Sequence, residues 1–217
     1  MENNDFIFGF RPIIEAINNG KHIDKIYVKK NIYSEQIEEL LDLAKTLEIT
    51  VQYVPVEKLN RITMKNHQGV IAIISPIAFF KIEDIVPQIF EDGRTPFILI
   101  LDNITDMRNF GSIVRTAECV DIDAIIVPER GGTLISGDAV KTSSGALMKV
   151  PICKSRSLYD TVKYLKNSGI EVVACTEKAN KPLYNAKLNN PIAVILGSEY
   201  EGINSDLLKI SDQLLEI

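Results

Sequence analysis

The chain has 217 residues, of which 46% are hydrophobic and 24% are charged, and this composition is typical of a globular protein with one large or two small domains. Its net charge of −5 counts against a generic nucleic-acid-binding protein, because such proteins are usually basic. No apolar run approaches the roughly 18 residues of a membrane helix, and the polar start MENNDF is unlike a signal peptide.

The three cysteines lie singly in apolar stretches, at Cys119, Cys153 and Cys175, without CxxC spacing. This pattern favours reduced thiols in a cytoplasmic protein over disulfides. The two histidines, His22 and His67, are too far apart in sequence to suggest a site, so no metal site is predicted.

Residues 6–75 predict a small α/β unit. Its first predicted helix, RPIIEAINNG, has Pro12 in the first turn and Gly20 as a stop signal. A second helix opens on Ser34, and the other predicted elements are the short helix EKLNRIT and the strands KIYVKK, ITVQYV and GVIAIIS. We place a first domain at residues 1–76 and interpret the proline-containing residues 77–95 as a linker that carries a short helix.

From Pro96 onward, short apolar runs alternate with helical stretches. The predicted strands are FILIL, AIIVP, KVPIC, VVACT and IAVIL, and helices are predicted to start near Ser112, Asp138, Leu158 and Ser205. This alternation predicts parallel βαβ units and a covered, mostly parallel sheet over residues 96–217. Ligands of such sheets bind at the carboxyl ends of the strands, so the loops after FILIL and IAVIL are the places to look for a site.

The first of these loops begins the stretch DNITDMRNFGSIVRTAE, which is richer in amides, guanidinium groups and glycine than a simple turn requires. The predicted helix from Ser112 is expected to bury a one-sided apolar stripe formed by Ile113, Val114, Ala117 and Val120. Arg115 lies off that stripe, and its side chain is expected to lean back across Gly111 towards Asn109. Such a fork of donors suits a phosphate or an oxygen nucleophile. The alternative is that Asn109 caps the helix and Arg115 forms a surface salt bridge.

The second loop, GSEYEG, resembles a phosphate-binding loop only superficially. Ile203 and Asn204 follow it where a Walker loop has Lys and Ser or Thr, and the fingerprint GxGxxG is absent from the chain. Glu199 lies in this loop, just after the end of a predicted strand. To contribute to a site, it would need a partner rich in hydrogen-bond donors.

Basic residues form three clusters in this acidic chain. The first comprises Lys21, His22, Lys25, Lys29 and Lys30, the second Arg61, Lys65 and His67, and the third Lys149, Lys154, Arg156, Lys163 and Lys166. From the sequence alone, each is either solvated surface or a site for RNA phosphates.

Together these stretches resemble a known family. NITDMRNFGSIVRTAE and ILGSEYEGI resemble the first and second motifs of the SpoU (TrmH) class of RNA 2′-O-ribose methyltransferases. KTSSGALMKVPIC is similar to the matching stretch of the bacterial 23S rRNA guanosine 2′-O-methyltransferase branch. GFRPIIEAINNGKHIDKIYV and HQGV resemble the family's ribosomal-protein-like RNA-binding domain.

This resemblance implies a small N-terminal α/β RNA-binding domain and a mostly parallel methyltransferase domain tied in a deep trefoil knot. It also implies S-adenosyl-L-methionine as cofactor, RNA as substrate and a homodimer with its catalytic residues near the subunit interface. The implied catalytic residues are Asn109, Arg115 and Glu199, and the implied cofactor-binding residues are Thr176, Leu196, Gly197 and Ile217. RNA contacts are expected at Arg11, Lys25, Arg61, Lys65, His67 and Arg108.

Arg115 is expected to position the ribose and a neighbouring phosphate rather than to act as a base, because a guanidinium stays protonated well above neutral pH. The phosphate or a water molecule would then take the proton.

The family's third motif, roughly PMxGxxxSLNVSxA, is expected directly after Ile217. We therefore expect the 217-residue form to be shorter than the natural chain and to bind the cofactor weakly. Three alternatives remain at this stage. They are a catalytically silent RNA-binding protein, a tRNA 2′-O-methyltransferase and a nucleotide-dependent small-molecule enzyme, the last disfavoured by the absent nucleotide-binding fingerprints.

Overall fold

The computed structural model describes residues 6–132, 135 and 137–216. The chain divides into two compact units, with the main boundary between Ala78 and Phe79. Each unit has its own sheet and its own hydrophobic core.

The first unit contains a four-stranded mixed sheet in the order β1-β4-β2-β3. Strands β2 and β3 are parallel, and β4 is antiparallel to both β1 and β2. The strands are β1 (Phe6–Phe8), β2 (Ile23–Lys29), β3 (Thr50–Val54) and β4 (Val70–Ile74), and the helices are α1 (Phe10–Asn18), α2 (Glu35–Thr46) and α3 (Val56–Ile62). The sequence patterns predicted all of these except the short strand β1.

Local sequence explains how the helices of this unit form and pack. The Ser34 hydroxyl accepts a hydrogen bond of 3.3 Å from the backbone N–H of Ile37 and caps α2, as predicted. Helices α1 and α2 bury an apolar stripe against one face of the sheet, where Ile13 and Leu40 are fully buried. Leu59 of α3 belongs to a second, smaller core that it forms with Val54, Ile71 and Ile73 of the sheet.

The second unit contains a six-stranded sheet in the order β10-β8-β9-β5-β6-β7, and every pair of neighbouring strands is parallel. This confirms the predicted α/β class with a mostly parallel sheet. The strands are β5 (Phe97–Leu101), β6 (Ala124–Pro128), β7 (Ile152–Ser155), β8 (Glu171–Cys175), β9 (Ile192–Leu196) and β10 (Gln213–Leu215).

Helices cover this sheet and complete its core. They are α4 (Ile82–Glu91), α5 (Met107–Cys119), α6 (Gly137–Thr142), α7 (Leu158–Asn167) and α8 (Ser205–Ile210). The central strands are almost wholly buried, which is why they read as continuous apolar runs in the sequence. Helix α4 lies within the segment interpreted as a linker, and it buries Ile82 and Val86 in the core of the second unit.

Helix α5 differs from its predicted form. It begins at Met107, five residues before the predicted start at Ser112, because the Asp106 carboxylate caps it by accepting from the backbone N–H groups of Arg108 and Asn109 at 2.7 and 3.0 Å. The prediction that Val120 is buried is wrong: Val120 follows the last helical residue and is 54% exposed. Phe110 fills the core instead.

Gly111 also has a different role from the one predicted. A Cβ atom at this position would lie 2.7 Å from the Cβ atom of Thr142. The glycine therefore allows α5 to pack closely on the end of α6, and the space is not left open for Arg115.

Among the described residues, no helix has the length and hydrophobicity needed to cross a membrane. The same residues contain no group of three or more His, Cys, Asp or Glu side chains arranged to hold a metal ion.

Candidate active site

The site lies at the carboxyl edge of the second sheet, where the strand order reverses. From β5 the chain moves outward through β6 and β7, and it then returns to the other side of β5 with β8 and β9. Strands β5 and β9 are neighbours, with Leu101 opposite Leu196 at their ends. The loops that follow them are therefore adjacent, and such a switch point is where open parallel sheets bind ligands.

A hydrogen bond joins these two loops through their side chains. Nδ2 of Asn109, in the first turn of α5, donates to Oε1 of Glu199 at 2.7 Å. The two residues are 90 positions apart in sequence. A hydrogen bond to a carboxylate is among the stronger types in proteins, so the pair is well suited to hold one geometry. The sequence predicted that Glu199 needs a hydrogen-bond donor as its partner, and Asn109 is such a donor.

The alternative role for Asn109, as a helix cap, is wrong. Asp106 occupies the cap position, and backbone hydrogen bonds from Asn109 and Arg108 lower the pKa of its carboxyl. Because Asp106 satisfies these backbone donors, the Asn109 side chain can contact Glu199 instead.

The loop that carries Glu199 is closed on itself. The backbone N–H of Gly202 donates to the carbonyl of Ser198 at 3.0 Å, and the Ser198 hydroxyl accepts from the N–H of Glu201 at 3.0 Å. A Cβ atom at Gly197 would lie 2.2 Å from the carbonyl carbon of Gly202, so only glycine fits there. The glycines of GSEYEG thus shape the loop itself, and Glu199 sits on a defined turn.

Asp102 holds this loop to the end of β5. Its Oδ2 atom accepts a hydrogen bond of 2.7 Å from the backbone N–H of Asn204, and its own N–H donates to the carbonyl of Leu196 at 2.8 Å. Asp102 is 5% exposed. Burial raises the pKa of its carboxyl, the Asn204 hydrogen bond opposes that rise, and the nearby charge of Glu201 adds to it. The sequence analysis assigned no role to Asp102. Its position directly after a buried strand could have marked it as a candidate site residue.

Arg115 is not brought to this pair. It lies six residues after Asn109 on the same helix, which corresponds to about 9 Å along the axis and about 120° around it. It is exposed, and within the described part of the chain it forms no ion pair and no hydrogen bond with Asn109 or Glu199. The alternative interpretation of Arg115 as a surface salt bridge therefore has no partner among the described residues.

Comparison with known proteins identifies the family. The model of the SpoU rRNA Methylase family matches residues 96–217, which include the whole second sheet and the Asn109–Glu199 pair. The chain belongs to the SpoU family of RNA methyltransferases. A second model, described as RNA 2'-O ribose methyltransferase substrate binding, matches residues 6–80.

Relatives of this SpoU-family chain match nearly all of its length. It is 31% identical over 216 residues to the Bacillus subtilis protein YacO, which is assigned to the TrmH family of tRNA/rRNA methyltransferases, and the match covers 100% of this chain and 87% of YacO. A Staphylococcus aureus (strain MSSA476) protein with the same family assignment is 36% identical over 199 residues, which cover 91% of this chain and 80% of that protein.

Two solved methyltransferase structures share the fold. The SpoU methyltransferase AviRb from Streptomyces viridochromogenes, in complex with AdoMet, superposes with a TM-score of 0.57 at 21% identity, covering 98% of this chain and 79% of that one. An AdoMet-bound rRNA methyltransferase from Sinorhizobium meliloti gives a TM-score of 0.58 at 22% identity, covering 98% of this chain and 77% of that one.

Three of the four residues predicted to hold the cofactor lie at the sheet edge that also carries the Asn109–Glu199 pair. Thr176 follows β8, Leu196 is the last residue of β9 and Gly197 follows it, so all three are at the same carboxyl edge. Thr176 is buried, and its hydroxyl accepts from the N–H of Lys178 at 3.2 Å. Oε1 of Glu177 lies 4.0 Å from where a Cβ atom of Gly202 would be, so the two loops face each other. Ile217 lies outside the described residues.

The predicted RNA contacts of the first unit gather mainly around three loops at one end of its sheet. The side chain of Gln68 accepts from the N–H of Phe10 at 3.3 Å, and the carbonyl of Gly69 accepts from the N–H of Lys29 at 2.8 Å. These contacts tie residues 63–69 to the start of α1 and to the end of β2. Exposed cations surround the joined loops, and we call Arg11, Lys29, Lys30 and Lys65 the loop cations.

His67 lies inside this arrangement. It is 9% exposed, its Nδ1 atom accepts from the N–H of Gly69 at 3.0 Å, and its Nε2 atom lies 3.0 Å from Oδ1 of Asn60. Both ring nitrogens are thus used within the unit, and His67 shapes the loop that carries Lys65.

The remaining predicted RNA contacts lie in other settings. Lys25 is near the start of β2 and pairs with Asp24 at 3.3 Å, which offsets its charge. Arg61 is exposed in the last turn of α3, directly before residues 63–69. Arg108 is exposed in the first turn of α5, next to Asn109.

Every member of the third basic cluster has a partner within the protein. Lys149, Arg156 and Lys166 pair with Glu118, Glu129 and Asp212 at 2.7, 3.7 and 2.8 Å. The other two members lie over aromatic rings, Lys154 over Phe79 and Lys163 over Tyr159, at 3.8 and 4.3 Å from the ring centres. This favours the interpretation of the third cluster as ordinary protein surface.

Proposed function

We propose that this protein transfers a methyl group from S-adenosyl-L-methionine to the 2′-oxygen of a ribose in RNA, and that its target is a guanosine of 23S rRNA. The observation that carries the proposal is the 2.7 Å hydrogen bond from Asn109 to Glu199 at the switch point of the parallel sheet. Family membership supplies the reaction class. The branch-specific resemblance of KTSSGALMKVPIC supports the choice of 23S rRNA.

Methyl transfer is a displacement at carbon, so the protein must align the 2′-oxygen with the methyl group and provide for loss of one proton. Asn109 suits the first task. With Nδ2 donating to Glu199, its Oδ1 atom would be the one that accepts a hydrogen bond from the ribose 2′-hydroxyl. Alignment of this kind contributes several kcal/mol in enzymes that hold two reactants together.

The cofactor would lie across the carboxyl ends of β8 and β9. Thr176, Leu196 and Gly197 would hold it, since the half-buried Leu196 side chain offers apolar surface and the closed loop after it is already shaped. When bound, S-adenosyl-L-methionine supplies a methyl group that is attached to a sulfonium. The rest of the cofactor is then released as a neutral thioether.

We assign Arg115 to the phosphate next to the reacting ribose. A guanidinium stays charged and offers a planar set of donors that matches a phosphate. Its separation from Asn109 along α5 fits contact with a neighbouring phosphate better than contact with the 2′-oxygen itself. That phosphate or a water molecule would accept the proton. The proposal retains the homodimer and the trefoil knot that the family resemblance implies.

The first unit would bind the RNA through the loop cations, with Arg61 beside them. These side chains are exposed on an acidic chain, so their contacts with phosphates would set most of the electrostatic affinity.

Methylation of rRNA from a strain that lacks the gene tests the proposal. The protein is incubated with radiolabelled S-adenosyl-L-methionine and total RNA, and the 2′-O-methyl position is mapped by mass spectrometry. We expect label in 23S rRNA at one guanosine, with little label when Glu199→Gln replaces the wild type. Label in tRNA would favour the tRNA alternative, and RNA binding without transfer would favour a silent RNA-binding protein.

A further inference from the structure

Asp102 contacts both ends of the loop that carries Glu199. Its backbone N–H donates to the carbonyl of Leu196, directly before the loop, at 2.8 Å. Its side chain accepts from the N–H of Asn204, directly after Ile203, at 2.7 Å. One residue at the end of β5 thus closes residues 197–203 from both sides.

The same loop is contacted from a third direction by Asn109. The loop is anchored at its ends by Asp102, and its middle reaches α5 through the Glu199 carboxylate. Because β5 leads directly into the turn before α5, Asp102 and Asn109 are the two ends of one continuous segment of eight residues, 102–109. The segment that carries Asn109 therefore contacts the loop at both of its ends and at Glu199.

Burial makes this contact sensitive to the loss of the carboxylate. Asp102 is 5% exposed, so water cannot readily replace its oxygen as the partner of the Asn204 N–H. The two ends of the loop are also closely packed, since a Cβ atom at Gly197 would collide with Gly202.

We propose that Asp102 is a positioning residue for methyl transfer, which keeps the Glu199 carboxylate within hydrogen-bonding distance of Asn109. This inference rests on the proposed function of the Asn109–Glu199 pair. Asp102 itself touches neither substrate nor cofactor in this assignment. Its effect on turnover passes through Glu199.

The first experiment compares Asp102→Ala and Asp102→Asn, with total rRNA from the deletion strain as the probe. We expect Asp102→Ala to lower kcat between about tenfold and a hundredfold with a small change in KM, because a catalytic group is misplaced while binding surfaces remain. Asp102→Asn keeps an acceptor oxygen and is expected to retain most of the turnover. Should Asp102→Ala not fold, Asp102→Leu fills the same space without an acceptor.

Asp123 offers a matched control. It is also a buried carboxylate that accepts a backbone N–H, from Phe97 at 2.8 Å, but at the opposite end of β5. Asp123→Ala should lower the melting temperature and leave kcat of the folded protein unchanged. Equal kcat losses at the two positions would mean that Asp102 has only a structural role.

A double-mutant cycle tests whether the effect passes through Glu199. If it does, Asp102→Ala should add no more than about a twofold loss to that of Glu199→Gln, whereas independent effects would multiply. Multiplicative losses would overturn the inference.

Hydrogen exchange gives a readout that does not depend on activity. In the wild type the Asn204 amide and the amides of residues 201 and 202 should be protected, and Asp102→Ala should expose all of them together. Unchanged protection would refute the positioning role. If Glu199→Gln keeps full activity, the proposed function of Glu199 fails, and the exchange experiment still decides whether Asp102 holds the loop.

Discussion

The Asn109 side chain donates a 2.7 Å hydrogen bond to the Glu199 carboxylate, and this contact joins the segment after β5 to the segment after β9. Asn109 lies in the first turn of α5, where Asp106 accepts from its backbone N–H at 3.0 Å. Glu199 lies on a turn that is closed by the hydrogen bond from the N–H of Glu201 to the Ser198 hydroxyl. The pair is thus held by its surroundings, and its own atoms remain available for a substrate.

Asn109→Ala should reduce the single-turnover rate about a hundredfold or more while changing the melting temperature little. The reason is that Asp106, not Asn109, caps α5. Ser157→Ala is the control, since the Ser157 hydroxyl caps α7 by accepting from the N–H of Asp160. That variant should lose about 1 kcal/mol of stability and keep its rate. If the Asn109→Ala variant were destabilised but kept a normal single-turnover rate, Asn109 would have only a structural role.

Arg115→Ala should abolish methyl transfer and leave the fold intact, because the side chain is exposed and off the buried stripe of α5. Arg115→Lys should not restore transfer, since one ammonium cannot reproduce the planar donor set. The matched control is Arg156→Ala, which removes an exposed arginine paired with Glu129 and should leave turnover unchanged. Near-normal turnover of the lysine variant would contradict the assignment.

Replacing Lys29, Lys30 and Lys65 with alanine should weaken RNA binding and flatten its dependence on salt. For single-stranded contacts the slope of log K against log salt should fall by about 2, or about 0.7 for each lost phosphate contact. The control removes Lys149 and Lys163 of the third cluster, which already have partners, and should leave the slope unchanged. Filter binding at several salt concentrations measures both, and equal slopes for the two variants would argue against the loop cations as the RNA surface.

Gly111→Ala should destabilise the protein by about 1–3 kcal/mol, the usual cost of overpacking a tight contact. The added methyl group would collide with the Cβ and Cγ2 atoms of Thr142. In a protein that already carries Thr142→Gly, the Gly111→Ala substitution should cost less stability than in the wild type, because both colliding atoms are then absent. Urea unfolding of the four proteins checks this coupling, and additive losses would place the strain elsewhere.

The cysteines should differ sharply in reactivity towards iodoacetamide. Burial, with smaller contributions from the charges of Glu83 and Asp84, raises the pKa of Cys153 to about 12, so almost none of it is thiolate at pH 8. Cys119 is exposed and should be alkylated first. Mass spectrometry of tryptic peptides should find Cys153 labelled only after unfolding in urea, and rapid labelling in the native state would contradict its burial.

The sequence by itself determined the class of the protein and the identity of its candidate catalytic residues. Fully buried strands read as apolar runs and amphipathic helices as one-sided stripes, because both patterns depend on local periodicity. The motifs around Asn109 and Glu199 carried the family resemblance without any knowledge of their contact. Ser34 was recognised as a helix cap for the same local reason.

Tertiary structure alone decided which of these residues meet. The order of strands places β9 beside β5, and no local pattern encodes that neighbour relation, so the Asn109–Glu199 and Asp102–Asn204 hydrogen bonds could not be read from the chain. The same applies to His67, whose ring nitrogens contact Asn60 and Gly69. It also applies to Lys149 and Lys166 of the third basic cluster, whose charges are offset by carboxylates distant in sequence. A residue's type predicts what it can bind, but the packing of remote segments determines what is within its reach.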